Sequence, residues 1–162
     1  MKQLIICFSL AILFLMFSIY QQDNNRFLKE YENLKHVADD AAAAGGLYFD
    51  SYQYSLGKMV FDKTEAEKAI KYIIKTNLHL DDTFKPLPNS YWTDTIKFYI
   101  YYFDDLNTTF PYLFQDPQTM YTKLITEPTI VVTINAGKPR YRLSFLTVHD
   151  AIRSASYEYY ER

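Results

Sequence analysis

The sequence predicts an α+β protein: a long N-terminal helix followed by a small antiparallel sheet with two shorter helices. Three observations carry this. Neither Gly nor Pro interrupts the chain before Gly45-Gly46, so nothing breaks a helix over that length. Thr64 and Glu67 open an amphipathic stretch in the manner of a capping box. Thr129 to Ile134 alternates as a strand does and ends in the turn-forming Asn135-Ala136-Gly137-Lys138.

The long helix divides in two. Leu4 to Tyr20 (LIICFSLAILFLMFSIY) is uncharged and mostly apolar. That is the short end of what crosses a hydrocarbon core, with Gln3 and Gln21 suited to the interfaces. Its large side chains, Leu4, Ile5, Ile6, Leu10, Ile12, Leu13, Phe14, Leu15 and Phe17, are the expected membrane-anchor residues, with lipid as their partner. A cleaved secretory signal needs a basic leader and a small-x-small site; here Lys2 is the whole leader and QQDNN follows Tyr20, so retention of the span is expected. Cys7 follows bulky Ile6 within the run and reads as lipid-facing. A continuous helix from Lys2 to Ala44 would be roughly 60 Å long. The expected organisation is an anchor over 1–22, an amphipathic stalk over 23–46 and an α+β head over 47–162.

In the stalk, Phe27, Tyr31, Leu34, Ala38, Ala41 and Gly45 recur at 4-3-4-3-4 spacing, a seam that one helix or sheet could cover. Phe27, Tyr31, Leu34, Ala38 and Ala41 are therefore candidate interface residues. Bulk falls toward the end of the seam, allowing close backbone approach near Ala41 to Ala44. His36 and Asp40 have i, i+4 spacing, but with no further ligands nearby they read as a solvated face.

Leu47 to Asp62 reads as a small hairpin: Tyr52, Tyr54 and Leu56 alternate, Gly57 interrupts, and Met59 and Phe61 resume. The helix from Thr64 to about Asn77 is expected to bury Ala66, Ile70, Ile73 and Ile74 and to present Lys68, Lys71 and Lys75 to water. Leu80 to Asn89, with Pro86 and Pro88, is a loop. Ile96 to Phe103 (IKFYIYYF) carries large apolar side chains on both faces, as a strand covered on both sides would. Asp104 to Gln118 reads as irregular. After the turn at Asn135, the pattern predicts a return strand with Tyr141, Leu143 and Phe145 opposite Arg140, Arg142 and Ser144. Thr147 and Asp150 then predict a capped final helix burying Val148, Ala151, Ile152, Ala155 and Tyr159.

Composition limits the chemistry. Net charge is −2 with acids and bases interspersed, which gives no nucleic-acid surface. The single cysteine excludes an intramolecular disulfide. With four glycines there is no phosphate-cradling loop, and no Gly-x-Ser-x-Gly elbow occurs. His36, His79 and His149 are scattered without paired ligands. The paired Asp81-Asp82 lacks a third ligand or general acid nearby, and the Asn107-Thr108-Thr109 sequon is a short pattern. No catalytic, cofactor or metal site is expected, and no small-molecule substrate is identified. The sixteen tyrosines and twelve phenylalanines read first as packing and second as an adhesive subunit surface.

Two stretches carry a resemblance. LKHVADDAAAAGGLYFD (Leu34 to Asp50) resembles the segment after the membrane helix in pseudopilins of tight-adherence-type pilus and secretion systems. GKMVFDKTEAEKAIKYIIKTNLHLDD (Gly57 to Asp82) is similar to the strand, acidic turn and helix of membrane-anchored relatives from Gram-positive bacteria. With the apolar run, the likeness covers about half the chain. It implies a non-enzymatic pilin-like subunit of a bacterial envelope apparatus, single-pass, with an extracytoplasmic head and self-association or sister subunits as partners. The chain departs from pilins in lacking a basic leader, a small residue at a processing site and a glutamate early in the apolar run. The other reading is a solitary membrane-tethered binding module, using the aromatics of Tyr99 to Phe103 and of Tyr112 to Phe114.

Overall fold

The computed structural model describes residues 2–88, 90–143 and 149–159. A 45-residue helix, α1 (Lys2–Gly46), leads into a short α2 (Ser51–Ser55) and a 15-residue α3 (Lys63–Asn77). Five strands follow: β1 (Lys97–Phe103), β2 (Tyr112–Gln115), β3 (Thr122–Ile125), β4 (Thr129–Asn135) and β5 (Ile152–Glu158). The class is α+β, as the sequence predicts.

Three layers stack in the head. In the middle is an antiparallel sheet in the order β1-β4-β5, with Ile100 and Ala155 both paired to Val132. On one face lie α1 and α3. Ile130, Val132 and Ile134 point to them and share a core with Leu34, Ala38, Ala41, Ile70 and Ile74. On the other face lies the β2-β3 ribbon, where Phe114 and Ile125 pack on Val131, Tyr101 and Phe103. This explains why six of the seven β4 residues are buried: the strand is central, with both faces covered. Each of the largest core side chains contributes about 1.5–3 kcal/mol by leaving water.

The second half of α1 is the spine of this core. Leu34, Val37, Ala38, Ala41, Ala42, Gly45 and Gly46 are buried, extending the predicted seam by one neighbouring row. The falling bulk has the expected effect. A Cβ on Gly45 would lie 2.7 Å from Ile70 Cδ1, so the backbones of α1 and α3 converge where only glycine fits.

The helix expected from Thr64 to about Asn77 forms as Lys63–Asn77, burying Ala66, Ile70 and Ile74 with Ile73 partly buried. Its cap is Asp62, whose carboxylate accepts from the Thr64 and Glu65 N–H groups; Thr64 lies one residue inside the helix, and Glu67 pairs instead with Lys71. Lys68 and Lys75 pair with Glu65 and Asp82.

Four local expectations are corrected. Where a hairpin was expected over 47–62, Asp50 accepts from the Tyr52 and Gln53 N–H groups and winds 51–55 into α2. Only the Phe49–Phe61 bridge is sheet-like there. The 104–118 segment contains β2, whose partner β3 gives it a register the sequence pattern did not reveal. The return strand over 140–145 does not form among the described residues. The Lys138 N–H donates to Asp94 and the Arg142 N–H to Asp23, so these donors go to carboxylates rather than to β4. The final helix is instead a strand: β4 lacks a partner on its second edge, and β5 supplies it. Ser144, Phe145, Thr147 and Val148, invoked for that strand and helix, lie outside the described residues, as does Asn89 of the predicted 80–89 loop.

Candidate functional site

Among the described residues, α1 is the one helix long and apolar enough to cross a membrane, and none of its most apolar window is buried. Leu4, Ile5, Ile6, Leu10, Ile12, Leu13, Phe14, Leu15 and Phe17 all stand exposed, Phe14 at 71%. Leaving such side chains in water forfeits about 1.5–3 kcal/mol each, so this half-helix requires an apolar surrounding. Cys7 is exposed on the same surface.

The exit of this segment is held by residues from the far end of the chain. Asp23, 7% exposed, receives two donors from Arg142: the backbone N–H and Nε, each at 2.8 Å. Arg142 Nη2 donates further to Gln22 Oε1 at 3.1 Å and reaches the Ile19 carbonyl at 3.5 Å. One bond to the carboxylate comes from the backbone and one from the guanidinium, whose remaining N–H groups reach Gln22 and Ile19 at the same time, a spread of donors that a lysine would not reproduce. Beside this clasp the Tyr141 ring lies 6.2 Å from those of Tyr20 and Phe27, and Phe27 stacks on Tyr31 at 5.2 Å. Arg153 completes the column, 3.7 Å above the Tyr31 ring. Burial, then the neighbouring Tyr20 and Asp23, push the Tyr141 hydroxyl above its ordinary pKa. It therefore stays neutral and donates to Asn24.

The interface candidates of the stalk find their cover within the chain. Leu34, Ala38 and Ala41 have no exposed surface, being packed beneath α3 and the sheet. Phe27 and Tyr31 are partly buried against the same core, and the Tyr31 hydroxyl donates to the Ile152 carbonyl. Within the chain, the head itself occupies this seam.

The aromatic stretches are divided similarly. Tyr101, Phe103 and Phe114 pack on one another, whereas the outer face of the ribbon stays open. Leu113 and Leu124 are paired directly across β2 and β3, 65% and 56% exposed.

Between ribbon and sheet lies a polar network that the sequence did not suggest. Asp116 is buried and accepts from Thr133 Oγ1, from Ser154 Oγ at 3.0 Å and from the Gln118 N–H at 2.8 Å. Burial opposes its ionisation, but these bonds outweigh it and hold the carboxyl below the usual value. Next to it, Lys123 Nζ is 2.7 Å from Ser156 Oγ and 3.0 Å from Glu158. These contacts tie β3 to β5, so the arrangement is that of a structural cross-link. The alternation Ser154, Ser156 against Arg153, Ala155, Tyr157 is the signal that identifies this strand.

The remaining polar candidates have structural duties. Asn107 donates to the Tyr102 carbonyl and accepts from the Asp104 N–H. Asp81 organises its own loop through Thr83 and Lys85. Lys35 pairs with Asp39 beside His36, and His149 is exposed. Among the described residues no group of three or more His, Cys, Asp or Glu side chains is placed to hold a metal ion.

No protein-family model, curated protein or solved structure matches the chain. What the fold and site define is a class: an α+β head built around the second half of a helix whose first half is apolar, exposed and able to span a bilayer.

Proposed function

We propose that the chain is a non-enzymatic, membrane-anchored, pilin-like structural subunit of a bacterial envelope pilus or secretion apparatus, with its head on the extracytoplasmic side. The observation that carries this reading is the unbroken passage of α1 from an exposed apolar half into the core of the head. A simple tether needs only a flexible linker. Here the exit is helical, clasped by Arg142 and flanked by stacked rings, so the span and the head share one orientation. Rigid coupling of that kind serves a subunit that packs its apolar helix against others while its head makes the outer contacts. The pseudopilin resemblance of Leu34 to Asp50 points the same way.

The test uses the full chain in membranes. Crosslinkers placed along Leu4 to Phe17 are expected to join copies or sister subunits. Phe14→Lys should abolish those products while the head keeps its melting transition. Undiminished crosslinking in that variant, or none in the wild type, overturns the reading.

A second reading, a solitary tethered binding module, draws support from the open Leu113–Leu124 face. Paired exposed leucines on a two-stranded ribbon suit a protein partner. Under this reading Leu113→Lys with Leu124→Lys removes a co-purifying protein from the full-length chain, and Phe14→Lys does not.

A further inference from the structure

The apolar run is short for a bilayer, and this bears on what lies beside its exit. From Lys2 to Tyr20 the helix is about 28 Å long at 1.5 Å per residue, against a hydrocarbon core of about 30 Å. A span with no length to spare leaves its flanks in the headgroup layer. Tyr141 and Arg142 are clasped to α1 at that level, and they end the run Lys138-Pro139-Arg140-Tyr141-Arg142, in which Lys138, Arg140 and Arg142 are exposed. The Arg142 guanidinium reaches back to the level of Ile19, and Tyr141 stands against Tyr20. Arg26 is exposed on α1 itself, and helix side chains lean toward the N-terminus, here toward the membrane. The acids near this group are Asp23, engaged by Arg142, Asp94, which accepts from the Lys138 N–H, and Glu30, which shares the surroundings of Tyr91 with Arg26 and Arg140. Arg140 has no acidic partner among the described residues. Interfacial aromatics with cations beside them are the chemistry that meets phospholipid headgroups.

We propose that the 138–142 segment is a headgroup seat, through which the head rests on the bilayer and engages the phosphates of anionic lipids with Lys138, Arg140 and Arg142. The seat rests on the reading that Leu4 to Tyr20 spans the membrane. It uses residues more than a hundred positions from that span, brought there by the fold.

Full-length protein is reconstituted into vesicles of phosphatidylcholine alone, or with a third phosphatidylglycerol, and floated on a gradient. Outward-facing heads are modified with water-soluble amine- and arginine-directed reagents, and the sites are quantified by mass spectrometry. Lys68, on α3 beside Ala44, a residue about 36 Å beyond Tyr20 along α1 by helix rise, is the internal control. The expected result is that phosphatidylglycerol protects Lys138 and Arg140 by about fivefold or more. Lys68 is unchanged, and 0.5 M salt removes the difference. Arg140→Gln should lower the protection of Lys138 by about fivefold. Equal modification in both vesicle types, or protection of Lys68 as well, overturns the seat while leaving the span standing. Protein that fails to float removes the span and the seat together.

Discussion

Gly46 lies against the ring of Tyr157: a methyl group on its Cα would fall 2.6 Å from Tyr157 Cε1. The last residue of the first helix thus touches the last strand with no room for a side chain. Gly46→Ala is expected to lower unfolding free energy by about 1–3 kcal/mol, read from denaturant titration. Gly57, with φ of +74° and open space around it, is the contrast. Gly57→Ala strains only the backbone and should cost about 1 kcal/mol.

The clasp on Asp23 should behave as a coupled pair. Arg142→Gln leaves a mostly buried carboxylate without its charged partner, whereas Arg142 itself is half exposed. The expected cost is about 1–2 kcal/mol. In a double-mutant cycle with Asp23→Asn, most of that cost should disappear once either partner is absent. Additive losses would show that the two side chains act separately.

Asp116 sets an acid limit. Its folded pKa lies below the ordinary value, so the unfolded chain binds a proton more readily than the native one. The resulting stability is present above about pH 4 and is lost as pH falls through the depressed folded pKa. Asp116→Asn should cost about 1–3 kcal/mol at neutral pH and flatten the acid limb of a stability–pH curve. An unchanged acid limb would assign it to other carboxylates.

The closed seam makes a contrast within one helix. Ala38 has no exposed surface, whereas Leu28 is half exposed. Ala38→Leu forces bulk between α1 and the layers on it and should cost about 1–3 kcal/mol. Leu28→Ala should change stability by less than about 0.5 kcal/mol. Thermal melts of both variants check this.

Much of the architecture is legible in local chemistry. The absence of Gly and Pro before Gly45 specifies α1, Ala66-Ile70-Ile74 specify α3, and rings on both faces of Ile96 to Phe103 announce a doubly covered strand. What local pattern cannot supply is pairing. Ile152, Ala155 and Tyr159 fit a helical period, and only the unfilled edge of β4 selects the strand period in Ser154, Ala155, Ser156 and Tyr157. The short β2 and β3 have meaning only as a pair over Val131. The clasp depends on Arg142 and Asp23 meeting across nearly the whole chain, and no spacing rule links them. The seam illustrates the remaining gap: periodicity locates the buried stripe but is silent on whether the chain or a neighbour buries it.

Because β5 closes the core around α1, the order of synthesis and the order of folding conflict. The apolar half of α1 leaves the ribosome first, yet the half within the head has no complete partner until Ile152 to Glu158 emerges. At about 5–20 residues per second, that is a wait of roughly 5–20 s. During it the small-residue stripe from Ala38 to Gly46 stands without the strand that completes its cover. The body therefore sets only once its final strand has been made, and a nascent chain stalled short of that strand would leave a greasy, half-built spine open to proteases.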